Sequence, residues 1–193
     1  MLERRLTVSS PRVAEPVANP RNQAAVALVL HSATPEHPIE LLFIERARRE
    51  GDHWSGDMAF PGGRRDATDR DEIENARRET REELGFVLPE PIGRLDDFDS
   101  RLARRDFEIV VSPIVFAIPE RPNLTPSEEV ASAHWIPLDS LFAPENRDVH
   151  FWKLGGARVR TPAIRVGDRI IWGMTYRMLA GFAKHLDCEL PLT

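Results

Sequence analysis

The sequence has one cysteine, Cys188, and one tyrosine among its 193 residues. A lone cysteine excludes both a disulfide framework and a thiolate metal site. Lysine is nearly missing as well: of 26 Lys+Arg residues, only Lys153 and Lys184 are lysine. The arginines are spread along the whole chain, which reads as a composition bias. No apolar run approaches the roughly 20 residues of a membrane span; the longest, AAVALVL, is strand-sized. A dominant charge sign is also lacking. With 31 Asp+Glu the net charge is −5, so no basic patch invites nucleic acid. The first 22 residues carry charges and prolines where a secretory signal would be apolar. Glu3 and Glu15 argue against a transit peptide. The expectation is a cytoplasmic protein with neither nucleic-acid nor membrane partners.

What is present suits one ordinary domain. A 41 % hydrophobic fraction supplies a core and 30 % charged residues a water-facing surface. Residues 1–22, with Pro11, Pro16 and Pro20 and no sustained period, read as an N-terminal extension. Residues 23–193 read as the domain. Apolar runs predict strands over 24–31 and 39–46, joined as a hairpin by the short proline-bearing segment 32–38. Further strands are expected over 92–98, 108–118 and 131–136. A hairpin over 157–164 and 169–172 turns at Gly167-Asp168. Helices are expected over 71–84, 138–142 and 174–186. Strands on either side of a central helix imply an α/β fold, a mixed sheet with helices on both faces.

The central helix, DEIENARRETREELG, breaks local rules. Thr68 and Asp69 are candidate caps, Gly85 is a natural stop, and Ile73, Ala76, Thr80 and Leu84 make a narrow buried stripe. Beside that stripe, Glu79, Glu82 and Glu83 fall on one face. Like charges at this spacing cost roughly 0.2–0.5 kcal/mol per pair, and acids in the last turn oppose the helix dipole. Local rules are usually broken where function demands it, although a solvated charged face would look the same. The preceding loop adds weight to function. Phe60-Pro61-Gly62-Gly63 opens a tight turn directly before the acidic helix, so loop and carboxylates should meet. Oxygen ligands without histidine or cysteine suit Mg²⁺ or Mn²⁺, and such ions bridge phosphate oxygens and a nucleophilic water.

Residues 63–86, GRRDATDRDEIENARRETREELGF, resemble the Nudix box, G-x5-E-x7-R-E-U-x-E-E-x-G-U, where U is bulky and apolar. Arg78-Glu79, Glu82-Glu83 and Gly85-Phe86 stand in register with its second half. In the first half Asp69 replaces the first Glu, eight residues rather than seven separate it from Arg78, and Thr80 takes a U position. The resemblance implies an α/β/α sandwich with a mixed β-sheet and a loop–helix–loop catalytic motif. It implies Glu79, Glu82 and Glu83 as ligands of Mg²⁺ or Mn²⁺ or as bases, with Arg78 as their support. The catalytic base is a box glutamate or an acid on a later loop, for which Glu128 and Glu129 are the candidates. Gly62, Gly63 and Arg46 are assigned to the cofactor-binding part of the site.

Upstream, Leu41-Leu42-Phe43-Ile44-Glu45-Arg46-Ala47 leads to Gly56 and then to Phe60-Pro61-Gly62-Gly63. This resembles the accessory motif of coenzyme A pyrophosphatases, although Gly51 stands where that motif has its second arginine. Ile171-Trp172-Gly173-Met174-Thr175 resembles the same branch. The implied activity is metal-dependent cleavage of the pyrophosphate bond in a nucleoside diphosphate derivative, coenzyme A or an acyl-CoA first. ADP-ribose, a nucleotide sugar, a dinucleotide or a dNTP are the alternative substrates. A non-catalytic nucleotide-binding module is the alternative of another class. Dimers are common in the family, so a homodimer is a further expectation. Outside these motifs, the six histidines show no paired-ligand spacing. His53, beside the glycine loop, and Arg101, Arg104 and Arg105 are possible substrate contacts. Trp135 and Trp152 are candidates to stack on a base or to pack in the core.

Overall fold

The computed structural model describes residues 11–14, 22–32, 34, 37–51, 54–100, 108–154 and 156–190. Strand β1 (Gln23–His31) is apolar on both alternating faces and buried on both, the pattern of a strand at a sheet's centre. It pairs in parallel with β7 (Val110–Ile118) from Gln23↔Val110 to His31↔Ile118. Its other edge is shared. The two-residue neck Leu30↔Leu41 and His31↔Glu40 joins it to β2 (Glu40–Arg46), while Ala24–Val26 pair with β4 (Gly62–Arg64). The expected β1–β2 hairpin therefore exists only at its neck. The glycine loop takes the place of a partner strand, and β2 runs on to pair with β8 (Val130–Pro137). Short β3 (Met58–Ala59), β5 (Pro91–Arg94) and β6 (Phe98–Asp99) complete a mixed eight-stranded sheet.

One face of this sheet carries helix α1 (Glu72–Leu84), whose Ala76 and Leu84 pack against Ala25, Ala27, Val29, Leu42 and Ile44. The opposite face carries the C-terminal helix, which follows the short α2 (Leu138–Phe142) and is labelled α3 (Gly173–Lys184). Its Tyr176, Leu179 and Phe182 pack on Leu28, Leu41 and Phe43. That second layer is shared with a three-stranded antiparallel sheet, β9 (Arg147–Leu154), β10 (Ala157–Val166) and β11 (Arg169–Trp172), which contributes Ile164 and Ile171 to the same core. The α/β sandwich with a mixed sheet is thus as expected, with a second small sheet added. The β10–β11 hairpin turns at Gly167, where φ is 62°. Strand β9 has no counterpart in the sequence-based assignment. Within residues 11–14, Arg12 and Ala14 donate backbone N–H groups, to Asp96 and Asp97, tying this segment to the turn after β5.

The ends of α1 explain its placement. Asp71 is the N-cap, accepting from the Glu74 amide at 2.8 Å, so the cap is neither Thr68 nor Asp69. Gly85 closes the helix in the left-handed region, φ 78°.

Candidate active site

The carboxylates of α1 and the glycine loop meet. Gly62 has φ +146°, a region that favours glycine, and its amide donates to Glu83 Oε2 at 2.9 Å. Gly63 lies so close to Glu79 that a Cβ there would fall 2.5 Å from the carboxyl carbon. The two glycines therefore touch the carboxylates themselves.

Glu83 is 5 % exposed. Burial pushes its carboxyl up to about 8, opposed by the Gly62 N–H, reinforced by the charge of Glu79, and influenced further by Arg46 and Glu129. Burial likewise raises Glu79, against the opposing charge of Arg78. Glu82 is different: its side chain is 54 % exposed and pairs with Arg78 Nη1 at 3.0 Å. Among the described residues no three His, Cys, Asp or Glu side chains converge closely enough to cage a metal ion. Glu79 and Glu83 are brought together, and Glu82, on the same helix, is held by the arginine. A buried and a half-buried carboxylate, both with raised proton affinity, nonetheless fit a hard divalent cation, whose charge would replace the protons.

Arg78 is the hub. It clamps Asp69 through both oxygens, Nε and Nη2 each at 2.9 Å, and reaches Glu79 at 2.9 Å. Nη2 also donates to the Arg64 carbonyl at 3.0 Å and the Asn75 side-chain oxygen at 3.2 Å. Asp69, its side chain 4 % exposed, is held below the usual carboxylate range by this guanidinium. Asp69 thus anchors the arginine that pairs with Glu79 and Glu82. The eight-residue interval to Arg78 is accommodated because the surplus lies in the turn before the Asp71 cap. The sequence also missed Asn75. It is buried and donates to the Gly63 carbonyl at 3.3 Å, and only a polar residue on the buried stripe could have signalled it.

Glu129 enters from across the sheet. The amides of Thr125 and Ser127 take the last free carbonyls of α1, Leu84 and Glu83, each at 2.8 Å. This docking sets the start of β8 beside the helix. The Glu129 side chain is 59 % exposed and held by Arg49 at 3.1 Å, yet its charge reaches Glu83. Glu128 is exposed on the same turn. Arg46 ends β2 after a register shift at Glu45/Arg46, and its charge also reaches Glu83.

Other sequence candidates fall elsewhere. Trp135 packs against the α1-side core, with His31 at 5.8 Å and the Arg121 guanidinium at 5.6 Å from its ring. His53, Arg101, Arg104 and Arg105 lie outside the described residues. Ser132 bridges Glu45 and His134 at 3.0 and 2.7 Å. The serine thus stands between the carboxylate and the imidazole, an order that is not that of a hydrolase triad.

Residues 21–153 match the NUDIX domain. The chain belongs to the Nudix family. The mitochondrial coenzyme A diphosphatase NUDT8 of Homo sapiens is 34 % identical over 176 residues, 86 % of this chain and 70 % of that protein. An uncharacterized protein of Schizosaccharomyces pombe is 41 % identical over 111 residues, 54 % of this chain; the chain spans only 34 % of that relative's length. A crystal structure of a MutT/nudix family protein from Enterococcus faecalis superposes with a TM-score of 0.61 at 16 % identity, over 91 % of this chain and 65 % of that one. The last likeness concerns the fold. Within this Nudix domain the box is the segment 63–86, with Asp69 standing in for its first glutamate. Among the described residues no helix is long and apolar enough to cross a membrane.

Proposed function

We propose that this Nudix pyrophosphohydrolase splits the pyrophosphate bond of coenzyme A or an acyl-CoA, releasing a 3′,5′-ADP half and a phosphopantetheine half. The observation that carries the chemistry is the Glu79–Glu83 pair backed by Gly62 and Gly63. Support for the substrate comes from 34 % identity to a protein named coenzyme A diphosphatase, over 86 % of the chain. The motif from Leu41 to Gly63 points the same way.

Glu79, Glu82 and Glu83 would hold Mg²⁺ or Mn²⁺, which when bound supplies charge neutralisation at the phosphate oxygens and a more acidic water. The chain's own groups do the rest. The Gly62 amide fixes the Glu83 carboxylate in direction, and Arg78 holds Glu79 and Glu82 in place from behind. Arg46 offers positive charge on the substrate's side of Glu83 and favours phosphate oxygens there. We assign the base to Glu129, whose carboxylate takes the proton of the attacking water while Arg49 holds it in position.

A substrate panel with product masses tests the reading. Coenzyme A, ADP-ribose, NADH, diadenosine polyphosphates and dNTPs are each incubated with Mg²⁺ or Mn²⁺. Coenzyme A should lead in kcat/KM, and the masses should be those of 3′,5′-ADP and phosphopantetheine. An order-of-magnitude preference for another nucleotide overturns the substrate. No hydrolysis of any of them leaves a non-catalytic nucleotide-binding module. Glu129→Gln with unchanged turnover removes Glu129 as the base.

A further inference from the structure

The register of the small sheet gathers three rings on one face. His150 stands opposite Thr161, Trp152 opposite Val159, and Trp172 opposite Ala163. Alternating residues share a face, so all three lie on the side away from Ile164 and Ile171, which belong to the core. His150 and Trp172 nearly stack, with centroids 4.2 Å apart and planes inclined by 30°. Trp152 follows at 6.0 Å and 45° from Trp172. All three rings are partly open to solvent, and neither tryptophan joins either hydrophobic core cluster. Large aromatic side chains dominate cores, so core packing does not account for this group.

The group is tied to the active site. Trp172 Nε1 donates to Asp57 Oδ1 at 3.0 Å, and the Asp57 carbonyl accepts from the Arg46 amide at 3.1 Å. Arg46 is the cation whose charge reaches Glu83. A single loop thus joins the carboxylates to the rings. We propose that His150, Trp152 and Trp172 form an aromatic platform that receives the purine base of the substrate. The inference rests on the reading of the substrate as a nucleotide derivative and adds the place where its base is held. Purines stack on aromatic faces whatever their hydrogen-bonding edges. Burial, helped by the charge of Arg165 and opposed by that of Asp148, lowers the His150 pKa, which favours the neutral ring.

The test uses Trp152→Ala, Trp152→Phe and His150→Ala in the full chain, each checked by circular dichroism. Trp152→Ala should raise KM for coenzyme A about tenfold with kcat little changed, and Trp152→Phe should restore it. Should Trp152→Ala fail to fold, His150→Ala decides, because it removes a ring without touching the Asp57 hydrogen bond. Wild-type KM in the folded alanine variants overturns the platform and leaves the coenzyme A reading standing. Quenching of tryptophan fluorescence by 3′,5′-ADP separates the opposite case. If wild type hydrolyses no coenzyme A, quenching that is lost in Trp152→Ala supports the platform while the substrate reading falls. Undiminished quenching in that variant overturns the platform.

Discussion

Glu83 and Glu79 sit one turn apart on α1, the first buried and the second half-buried, both with raised proton affinity. The linkage has a definite sign. Folding lifts Glu83 from 4.5 to about 8, so the folded state keeps a proton that the unfolded chain releases. This stability is fully present below pH 4.5 and is lost as pH rises through about 8. In EDTA the melting temperature should therefore decline across that window, and Mg²⁺ or Mn²⁺ should reverse the decline at its alkaline end. Thermal melts at fixed ionic strength check both arms. Glu82 contrasts with this pair, being exposed and bonded only to Arg78 among the contacts described. Glu82→Gln should leave the melting temperature nearly unchanged and lower turnover by about 10²-fold, within the range of losing a positioned charge. Asp69 should behave the other way round. Its side chain is 4 % exposed and carries the bidentate grip on Arg78. Asp69→Ala strands that guanidinium and should cost about 2–3 kcal/mol in urea unfolding. The sequence made the glutamates legible because their clash is local, three like charges within one helical turn. Asp69 was less legible because its partner lies beyond a turn and a cap, where spacing alone does not bring side chains together.

The glycine loop is the element that converts helix chemistry into a site. A Cβ on Gly62 would fall 2.3 Å from the Ala25 carbonyl oxygen and 2.6 Å from Val26 Cα, both backbone atoms that cannot yield. A Cβ on Gly63 would meet first the end of the Glu79 side chain. Gly62→Ala should therefore damage the fold, by about 2–3 kcal/mol in chemical unfolding. Gly63→Ala should keep the fold and displace Glu79, lowering kcat at least about tenfold. Equal loss of stability in the two variants would contradict this division. Helix α1 was legible from its pattern and its Gly85 stop, since both signals lie within a few residues. Strand β9 was not: RDVHFWKL mixes charged, aromatic and aliphatic residues without apolar alternation, and its pairing is with residues that follow it. The β1–β2 hairpin was half legible for a related reason. Adjacent apolar runs suggest pairing, and nothing local reveals that β4 takes most of that edge.

At the scale of the molecule, the domain is longer than its family signature. The NUDIX match ends at residue 153, yet Ile164, Ile171, Leu179 and Phe182 are fully buried beyond it. A chain cut to residues 21–153 loses one covering of the sheet and exposes Leu28, Leu41 and Phe43. It should be insoluble or lack a cooperative melt, which expression and circular dichroism can check. The sandwich was legible because it follows from element order. The small sheet and its ring cluster were not, because register between distant strands decides which side chains share a face. The Asp69–Arg78 grip has a wider consequence. An ion pair measures distance through space, and a turn can absorb an inserted residue without moving either end. A fixed count of residues between Asp69 and Arg78 is therefore a poorer mark of this site than the bidentate contact itself.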